Sequence, residues 1–185
     1  MALRRMDNVL IVVDDLEAVK AFFIELGLTL EGESTVEGPE VGGLIGLKDV
    51  RATLAMLRTP DGQGIELDKF HTPEAVRFGP VALPVNALGL RRVMFAVEGI
   101  DEVVAHMRAH GAALIGEMRY GESYRLAYIR GPEGIIVGLA EEMGKGPKRA
   151  GAGVARSQPR GRAKPAGRNK ATGKVGVARK KQSRQ

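Results

Sequence analysis

The sequence predicts an α+β fold made of two tandem βαβββ modules, because two segments of the sequence are repeated later in the chain. The segment 54–67, LAMLRTPDGQGIEL, recurs 72 positions later as LAYIRGPEGIIVGL at 126–139. The segment 6–33 aligns without a gap on 90–117, 84 positions later. Repeats of this length indicate a duplicated structural unit. The two offsets differ by 12 residues, which predicts an insertion in the first copy, a loop at about 36–50.

Each module is expected to begin with a buried strand and an amphipathic helix. Residues 9–13 are an apolar, β-branched run, and Asp14 and Asp15 after it suit a helix N-cap. Apolar residues then recur on one helical face until Gly27, and the second copy follows the same pattern until Gly111. Each helix therefore needs a sheet to cover.

Each module is expected to end in a β-hairpin. The repeated segment reads as an alternating strand, a Pro-Asp-Gly or Pro-Glu-Gly turn, and a second strand. We place module one at about 6–68, a proline-rich connector at 69–90, and module two at about 91–142. The modules should pack as one domain over 1–144, because a unit of about 60 residues is marginal on its own.

The last 41 residues, 145–185, differ in composition from the rest of the chain. They hold 14 of the 28 basic residues, none of the 22 acidic ones, and no Phe, Tyr, Trp, Leu, Ile or Met. Such a tail cannot bury enough apolar surface to offset the entropy of ordering, so it is predicted to be disordered. The net charge of +6 thus combines a basic tail with a domain of formal charge −8.

The basic tail suggests one class of partner. It can neutralise phosphates and bind nucleic acid or an anionic surface without sequence preference. The alternative is a solubilising extension without a role of its own.

Several classes of protein are disfavoured by composition. The chain has no cysteine, which excludes disulfides, thiol nucleophiles and thiolate metal sites. The start, MALRRMDNV, lacks the apolar run of a signal peptide, and no run approaches the roughly 18 residues that span a membrane. We therefore expect a cytoplasmic protein without a membrane span.

Three stretches carry a family resemblance: MDNVLIVVDDLEAVKAFF at 6–23, NALGLRRVMFAVEGID at 86–101 and RGPEGIIVGLAEE at 130–142. Together with the paired modules they resemble the vicinal oxygen chelate superfamily, which includes glyoxalase I, bleomycin-resistance proteins, epimerases and ring-cleaving dioxygenases. The resemblance covers 6–142. It implies a cupped eight-stranded mixed sheet with helices outside and substrate or metal inside the cup.

The resemblance also implies where a metal would be bound, on the first and last strand of each module. Those positions hold Asn8, Glu66, Arg92 and Gly138. A catalytic metal needs about three His or carboxylate donors, and only Glu66 is a good ligand. We therefore expect no cofactor, with a divalent metal held by other residues as the alternative.

Strand alternation puts Asn8 and Arg92 on the cup face, where Glu66 is expected to face Arg92. One interpretation is a salt bridge that fills the vacated metal site. The other is an anion clamp, in which Arg92 binds a ligand carboxylate or phosphate while Glu66, as the candidate catalytic residue, orients the ligand or moves a proton.

Other side chains are weaker candidates. His71 follows the Glu66 strand, near the expected rim, as a general base or as plain surface. Tyr128, the twin of Met56, either stacks on a flat ligand or packs in the core. His106 and His110 are four apart on the second helix and can share a metal, but that helix should lie outside the sheet, so His110 is predicted to be a solvated cation near the helix C-terminus.

Three functions remain open. The first is a metal-free protein of the bleomycin-resistance kind that binds a small anionic or oxygen-rich molecule. The second is a glyoxalase-type lyase or isomerase, or a dioxygenase, that depends on a metal or uses Glu66. The third is a nucleic-acid adaptor that works through the tail. A homodimer is expected.

Overall fold

The structure, a computed structural model, describes residues 5–77 and 79–144, and the tail predicted at 145–185 lies outside the described residues. Module one contains β1 (Asn8–Val12), α1 (Leu16–Glu25), β2 (Thr29–Glu37), α2 (Pro39–Ile45), β3 (Arg51–Arg58) and β4 (Gly64–Thr72). Module two contains β5 (Val93–Ala96), α3 (Ile100–Ala109), β6 (Ala113–Tyr120), β7 (Tyr124–Arg130), a 3₁₀ helix (Pro132–Gly134) and β8 (Ile136–Glu142).

The eight strands of the described residues form two four-stranded sheets of the same topology. The strand order is β1-β4-β3-β2 in module one and β5-β8-β7-β6 in module two. In each sheet the first strand runs parallel to the last, and the other neighbours are antiparallel. The predicted α+β class with two βαβββ modules is therefore confirmed.

The strand register repeats along with the topology. The β-bulge at 30–32 in β2 has its counterpart at 114–116 in β6, at the offset of 84 residues. The parallel pairs are also equivalent, so the two sequence offsets describe one backbone used twice. These pairs are Leu10 with Glu66 and Met94 with Gly138.

The helices pack on one face of the sheets and share one core. At the start of α1, the Asp15 side chain accepts a hydrogen bond of 3.0 Å from the backbone N–H of Ala18, as the N-cap pattern predicts. Alternate residues of β1, Val9 and Ile11, face this core, while Leu10 is left exposed on the other face. The buried residues of α1 and α3 are Leu16, Val19, Phe22, Phe23, Ile100, Val104 and Met107.

Phe22 and Glu133 make direct contacts between the modules. Phe22 of α1 packs against Gly131, where an added Cβ would lie 2.7 Å from the ring. The Glu133 carboxylate accepts hydrogen bonds from the backbone N–H groups of Asp14 (2.9 Å) and Asp15 (2.5 Å). Module two therefore holds the segment from which α1 begins, and both modules belong to one compact unit.

Two boundaries differ from the sequence predictions. The insertion predicted as a loop contains α2, because Pro39 suits a first helical position and Gly46 ends the helix in the left-handed region, at φ 75°. Strand β4 continues to Thr72, because its residues stay paired with β3, so the connector begins later than position 69. No helix among the described residues has the length and apolar character needed to cross a membrane.

Candidate functional site

Glu66 and Asn8 meet on the face of the module-one sheet that is opposite the helices. We call this side of each sheet the cup face. β1 and β4 run side by side, and the Asn8 amide nitrogen, Nδ2, donates a hydrogen bond of 2.5 Å to Glu66 Oε2. Gly64 makes this approach possible, since a Cβ there would lie 2.9 Å from Asn8 Cβ. Both polar side chains are half-buried. The pairing holds Glu66 Oε2, while Oε1 makes no hydrogen bond within the described residues.

Asp68 lies two residues beyond Glu66, on the same face of β4. It is 8% exposed, and its Oδ1 atom has no hydrogen-bond partner among the described residues. Burial, and secondarily the neighbouring Glu66 charge, raises the pKa of Asp68 from 3.8 to about 6. We call Asn8, Glu66 and Asp68 the carboxylate cluster.

The cavity beside Glu66 is of about 390 Å³ and carries mainly negative charge. Glu31, Glu33 and Glu66 line it, with Arg58 as the basic residue. Arg58 Nε donates to Glu31 Oε2 at 2.7 Å, so its charge is already matched. This side of the cup favours cations or hydrogen-bond donors over anions.

Arg92 and Tyr128 meet on the cup face of module two. Arg92 directly precedes β5, and its Nε donates a hydrogen bond of 2.6 Å to the Tyr128 hydroxyl. The guanidinium carbon lies 5.2 Å from the centre of the tyrosine ring, within cation–π range. Gly138 leaves room for this arrangement, because a Cβ there would lie 2.9 Å from Met94 Cε and 3.4 Å from Tyr128 Cε1.

A cavity of about 410 Å³ adjoins Arg92, and its lining combines two arginines with apolar groups. A neighbouring cavity of about 320 Å³ shares both arginines and also has Glu133 in its lining. Arg91 is half-buried, and its Nε has no hydrogen-bond partner in the described part of the chain. No ion pair within 5–77 and 79–144 includes Arg91 or Arg92. We call Arg91, Arg92 and Tyr128 the arginine cluster. The lining residues are Val85, Gly89, Leu90, Arg91, Arg92, Tyr128 and Ile136.

The two clusters do not meet within one chain. Glu66 lines the cavity of module one and Arg92 that of module two, and no salt bridge joins them in the described residues. The salt bridge expected between Glu66 and Arg92 is therefore replaced by two local pairs, because each side chain finds a partner in its own sheet. His71 is exposed at the end of β4, where its Nε2 lies 2.8 Å from Thr53 Oγ1, and it lines neither cavity.

Two residues of these clusters were missing from the sequence candidates. Asp68 follows Glu66 with a period of two, so strand alternation alone carries a signal for it. Arg91 precedes Arg92 and faces away from it in an ideal strand, so its place in the cavity lining depends on the tertiary packing.

A family model described as the Glyoxalase/Bleomycin resistance protein/Dioxygenase superfamily matches residues 5–139. The chain belongs to this superfamily. It is 53% identical to a glyoxalase family protein of known crystal structure from Bacillus cereus, over 78% of this chain and 97% of that chain, with a TM-score of 0.74. The vicinal oxygen chelate resemblance is thus confirmed.

Solved structures of lower sequence identity show the same fold. A glyoxalase family protein from Enterococcus faecalis is 25% identical over 76% of this chain and all of that chain, with a TM-score of 0.54. The fosfomycin resistance protein FosX from Listeria monocytogenes is 16% identical over 75% and 93% of the two chains, with a TM-score of 0.51. No curated protein matches the chain.

The residues at the superfamily's metal positions do not fit a metal. Asn8 turns its N–H toward Glu66, Arg92 adds a positive charge, and Gly138 has no side chain. One carboxylate of four positions falls short of the donor set that a divalent ion needs.

Proposed function

We propose that the protein binds a small anionic or oxygen-rich molecule in the cup, through the arginine cluster and without a metal. The observation that carries this proposal is the cavity of about 410 Å³, with Arg91 and Arg92 and no acidic residue in its lining. A carboxylate or phosphate would match this charge, and each charge-assisted hydrogen bond contributes about 1.5–3 kcal/mol. The fold is compatible with such a role, since a fosfomycin resistance protein shares it.

Arg92 is the residue to which we assign anion binding. The Tyr128 hydroxyl and ring hold one edge of the guanidinium, through Nε and the cation–π contact. The terminal nitrogens Nη1 and Nη2 have no hydrogen-bond partner among the described residues and remain for a planar, bidentate contact with a carboxylate or phosphate. Val85, Leu90 and Ile136 supply apolar surface for the rest of the ligand.

A homodimer is part of the proposal, because the carboxylate and arginine clusters line separate cavities in one chain. A second copy that covers the open cup face would bring one cluster opposite the other. Exposed apolar side chains on and beside this face support the contact, among them Leu10 (47%), Met94 (38%) and Leu90 (69%). Analytical ultracentrifugation tests this point, and Leu10→Lys should shift a dimer towards monomer.

A cytoplasmic location, which agrees with a chain without cysteine, belongs to the same proposal.

The proposal is tested by a thermal-shift screen of tag-free, chelator-treated protein against carboxylates, phosphates and phosphonates. Wild type should be stabilised by a subset of anions, and Arg92→Ala should lose that stabilisation. Arg119→Ala, which removes the same charge from β6, should keep it. Stabilisation that survives Arg92→Ala, or that requires an added divalent metal, would overturn the proposal.

A metal-free isomerase or lyase is a second candidate, favoured by the pair of carboxyl groups in the carboxylate cluster. A carboxyl with a pKa of about 6, such as Asp68, holds or releases a proton near neutral pH. Glu66 would then exchange the proton with a bound substrate, with Asp68 as a positioning residue beside it. A turnover rate lost in Glu66→Gln, together with a pH profile that Asp68→Asn shifts, would favour this enzyme over a binding protein.

A further inference from the structure

Three metal-ligating side chains meet on the outer surface, where the helices of the two modules adjoin. Glu25 ends α1, and His106 and His110 lie on the last turn of α3 and just beyond it. His106 Nε2 is 2.9 Å and His110 Nε2 is 3.7 Å from Glu25 Oε2. Within the described residues this is the one group of three His, Cys, Asp or Glu side chains with ligand atoms inside 4.8 Å of each other.

We propose that Glu25, His106 and His110 bind a divalent transition-metal ion that links the two modules. Ligands about 2.1 Å from a tetrahedral zinc ion lie about 3.4 Å from each other. The two distances to the glutamate oxygen, 2.9 and 3.7 Å, bracket this separation. The three ligand atoms all lie within 4.8 Å of one another, and the centres of the two imidazole rings are 4.3 Å apart.

The orientation of His110 supports a ligand role independently of these distances. Its Nδ1 lies 2.9 Å from the backbone carbonyl oxygen of His106. A carbonyl oxygen only accepts, so Nδ1 carries the proton and donates it. In the neutral tautomer that this hydrogen bond selects, Nε2 carries no proton, and it lies 3.7 Å from Glu25 Oε2. Metal-binding histidines commonly donate their second ring N–H to a backbone carbonyl, which fixes both tautomer and ring.

The donor set selects the class of ion. Two imidazoles and one carboxylate suit Zn²⁺, Co²⁺, Ni²⁺ or Cu²⁺, while Ca²⁺ and Mg²⁺ prefer oxygen donors alone. The three side chains are 41–47% exposed, so an ion can enter and a water can fill the fourth position. Because the site clamps α1 to α3 on the side of the sheets away from the cup, its effect is on stability and module arrangement.

The test uses the full chain without an affinity tag, treated with a chelator and titrated with ZnCl₂ by calorimetry. Wild type should bind one Zn²⁺ per chain, and its Tm should rise by about 5–10 °C at a hundredfold excess over Kd. His106→Asn, His110→Asn and Glu25→Gln should each remove this saturable binding. His71→Asn is the matched control, since His71 is the third histidine of the chain and lies at the end of β4.

Two results would overturn the proposal: absence of saturable Zn²⁺ binding in wild type, or binding that persists in the His106→Asn/His110→Asn double variant. Equal stabilisation by Mg²⁺ would contradict the assigned donor chemistry. Co²⁺ provides a second readout, since a tetrahedral site gives visible absorption that the double variant should lack. The double variant also separates this site from the cup, because anion binding through Arg92 should be unchanged in it.

Discussion

The two modules share a backbone and differ in charge where they face the cup. Register, bulge position and strand order coincide, yet the cup-facing positions hold different side chains. Cup-facing side chains take part neither in the strand ladder nor in the core, so duplication constrains them least. One scaffold therefore presents carboxylates in its first copy and arginine in its second. The equivalent pairs are Asn8 and Arg92, Met56 and Tyr128, Glu66 and Gly138, and Asp68 and Ala140.

The largest expected difference in stability between the two modules is at Asp68. The equivalent residue in module two is Ala140. The pKa of Asp68 is raised from 3.8 to about 6, so the folded state binds its proton more tightly than the unfolded state. This contribution is fully present below pH 3.8 and is lost as the pH rises through about 6, a loss of about 3 kcal/mol. Asp68→Asn should remove it, because a neutral amide occupies the same space.

Urea unfolding at pH 4 and at pH 7.5 measures this difference. From pH 4 to pH 7.5 the free energy of unfolding of wild type should fall relative to that of Asp68→Asn, by up to about 3 kcal/mol. Ala140→Ser, at the twin position, should show the pH dependence of wild type. Parallel curves for Asp68→Asn and wild type would mean that burial does not perturb this carboxyl.

The next effect concerns the two turn acids, Asp61 and Glu133, which the repeat aligns. Asp61 accepts a local hydrogen bond from Thr59 Oγ1 at 2.5 Å, whereas Glu133 accepts from the backbone of Asp14 and Asp15 in the other module. Glu133→Ala should lower the free energy of unfolding by about 2 kcal/mol, because it removes charge-assisted hydrogen bonds to two backbone N–H groups. Asp61→Ala should cost roughly 0.5 kcal/mol. Equal losses, measured by chemical denaturation, would show that the contact between modules adds nothing beyond a turn.

A smaller effect is expected at Tyr128, whose twin is Met56. Tyr128→Phe removes the hydroxyl that accepts from Arg92 but keeps the ring, so stability should fall by about 1 kcal/mol. Met56→Leu, a change of similar volume on the other module, should leave the guanidinium undisturbed. Thermal unfolding measures the cost. A crystal structure of Tyr128→Phe should show Arg92 in a new rotamer, and an unmoved Arg92 would assign its position to the ring alone.

The smallest effect on stability is expected for the basic tail. Removal of 145–185 should leave the Tm within error, because this segment has no large apolar side chain to bury. Binding to nucleic acid, measured by fluorescence anisotropy at several salt concentrations, should weaken sharply on the same truncation. A lower Tm would make the tail part of the fold, and unchanged nucleic-acid binding would refute the adaptor function.

The fold could be predicted from the sequence because it depends on local patterns that occur twice. Alternating strands, the Asp15 cap and the Pro-Asp-Gly and Pro-Glu-Gly turns each depend on neighbouring residues, and the repeat supplies an internal check. The helix at Pro39–Ile45 was missed because it lies in the insertion, where module two has no twin to compare. Its proline start and glycine end are local signals, but the segment is too short for a periodic apolar pattern.

Only part of the candidate site could be predicted from the sequence. Strand alternation identified the positions that face the cup, but it did not say which side chains reach one another. Glu66 pairs with Asn8 on the adjacent strand, whereas Arg92 reaches Tyr128 across β8, at the position of Gly138. The raised pKa of Asp68 depends on burial, a property of the packed core that sequence spacing does not contain.

The sequence by itself determined the two modules, the alignment of one module on the other, and the separation of an acidic domain from a basic tail. These features follow from periodicity and composition, which act between residues close in the chain. Only the tertiary structure decided that Glu66 and Arg92 occupy separate cavities and that Glu25 joins His106 and His110. The contacts of Glu25 with His106 and His110 link residues 81 and 85 positions apart, and they exist because α1 and α3 pack on a shared core.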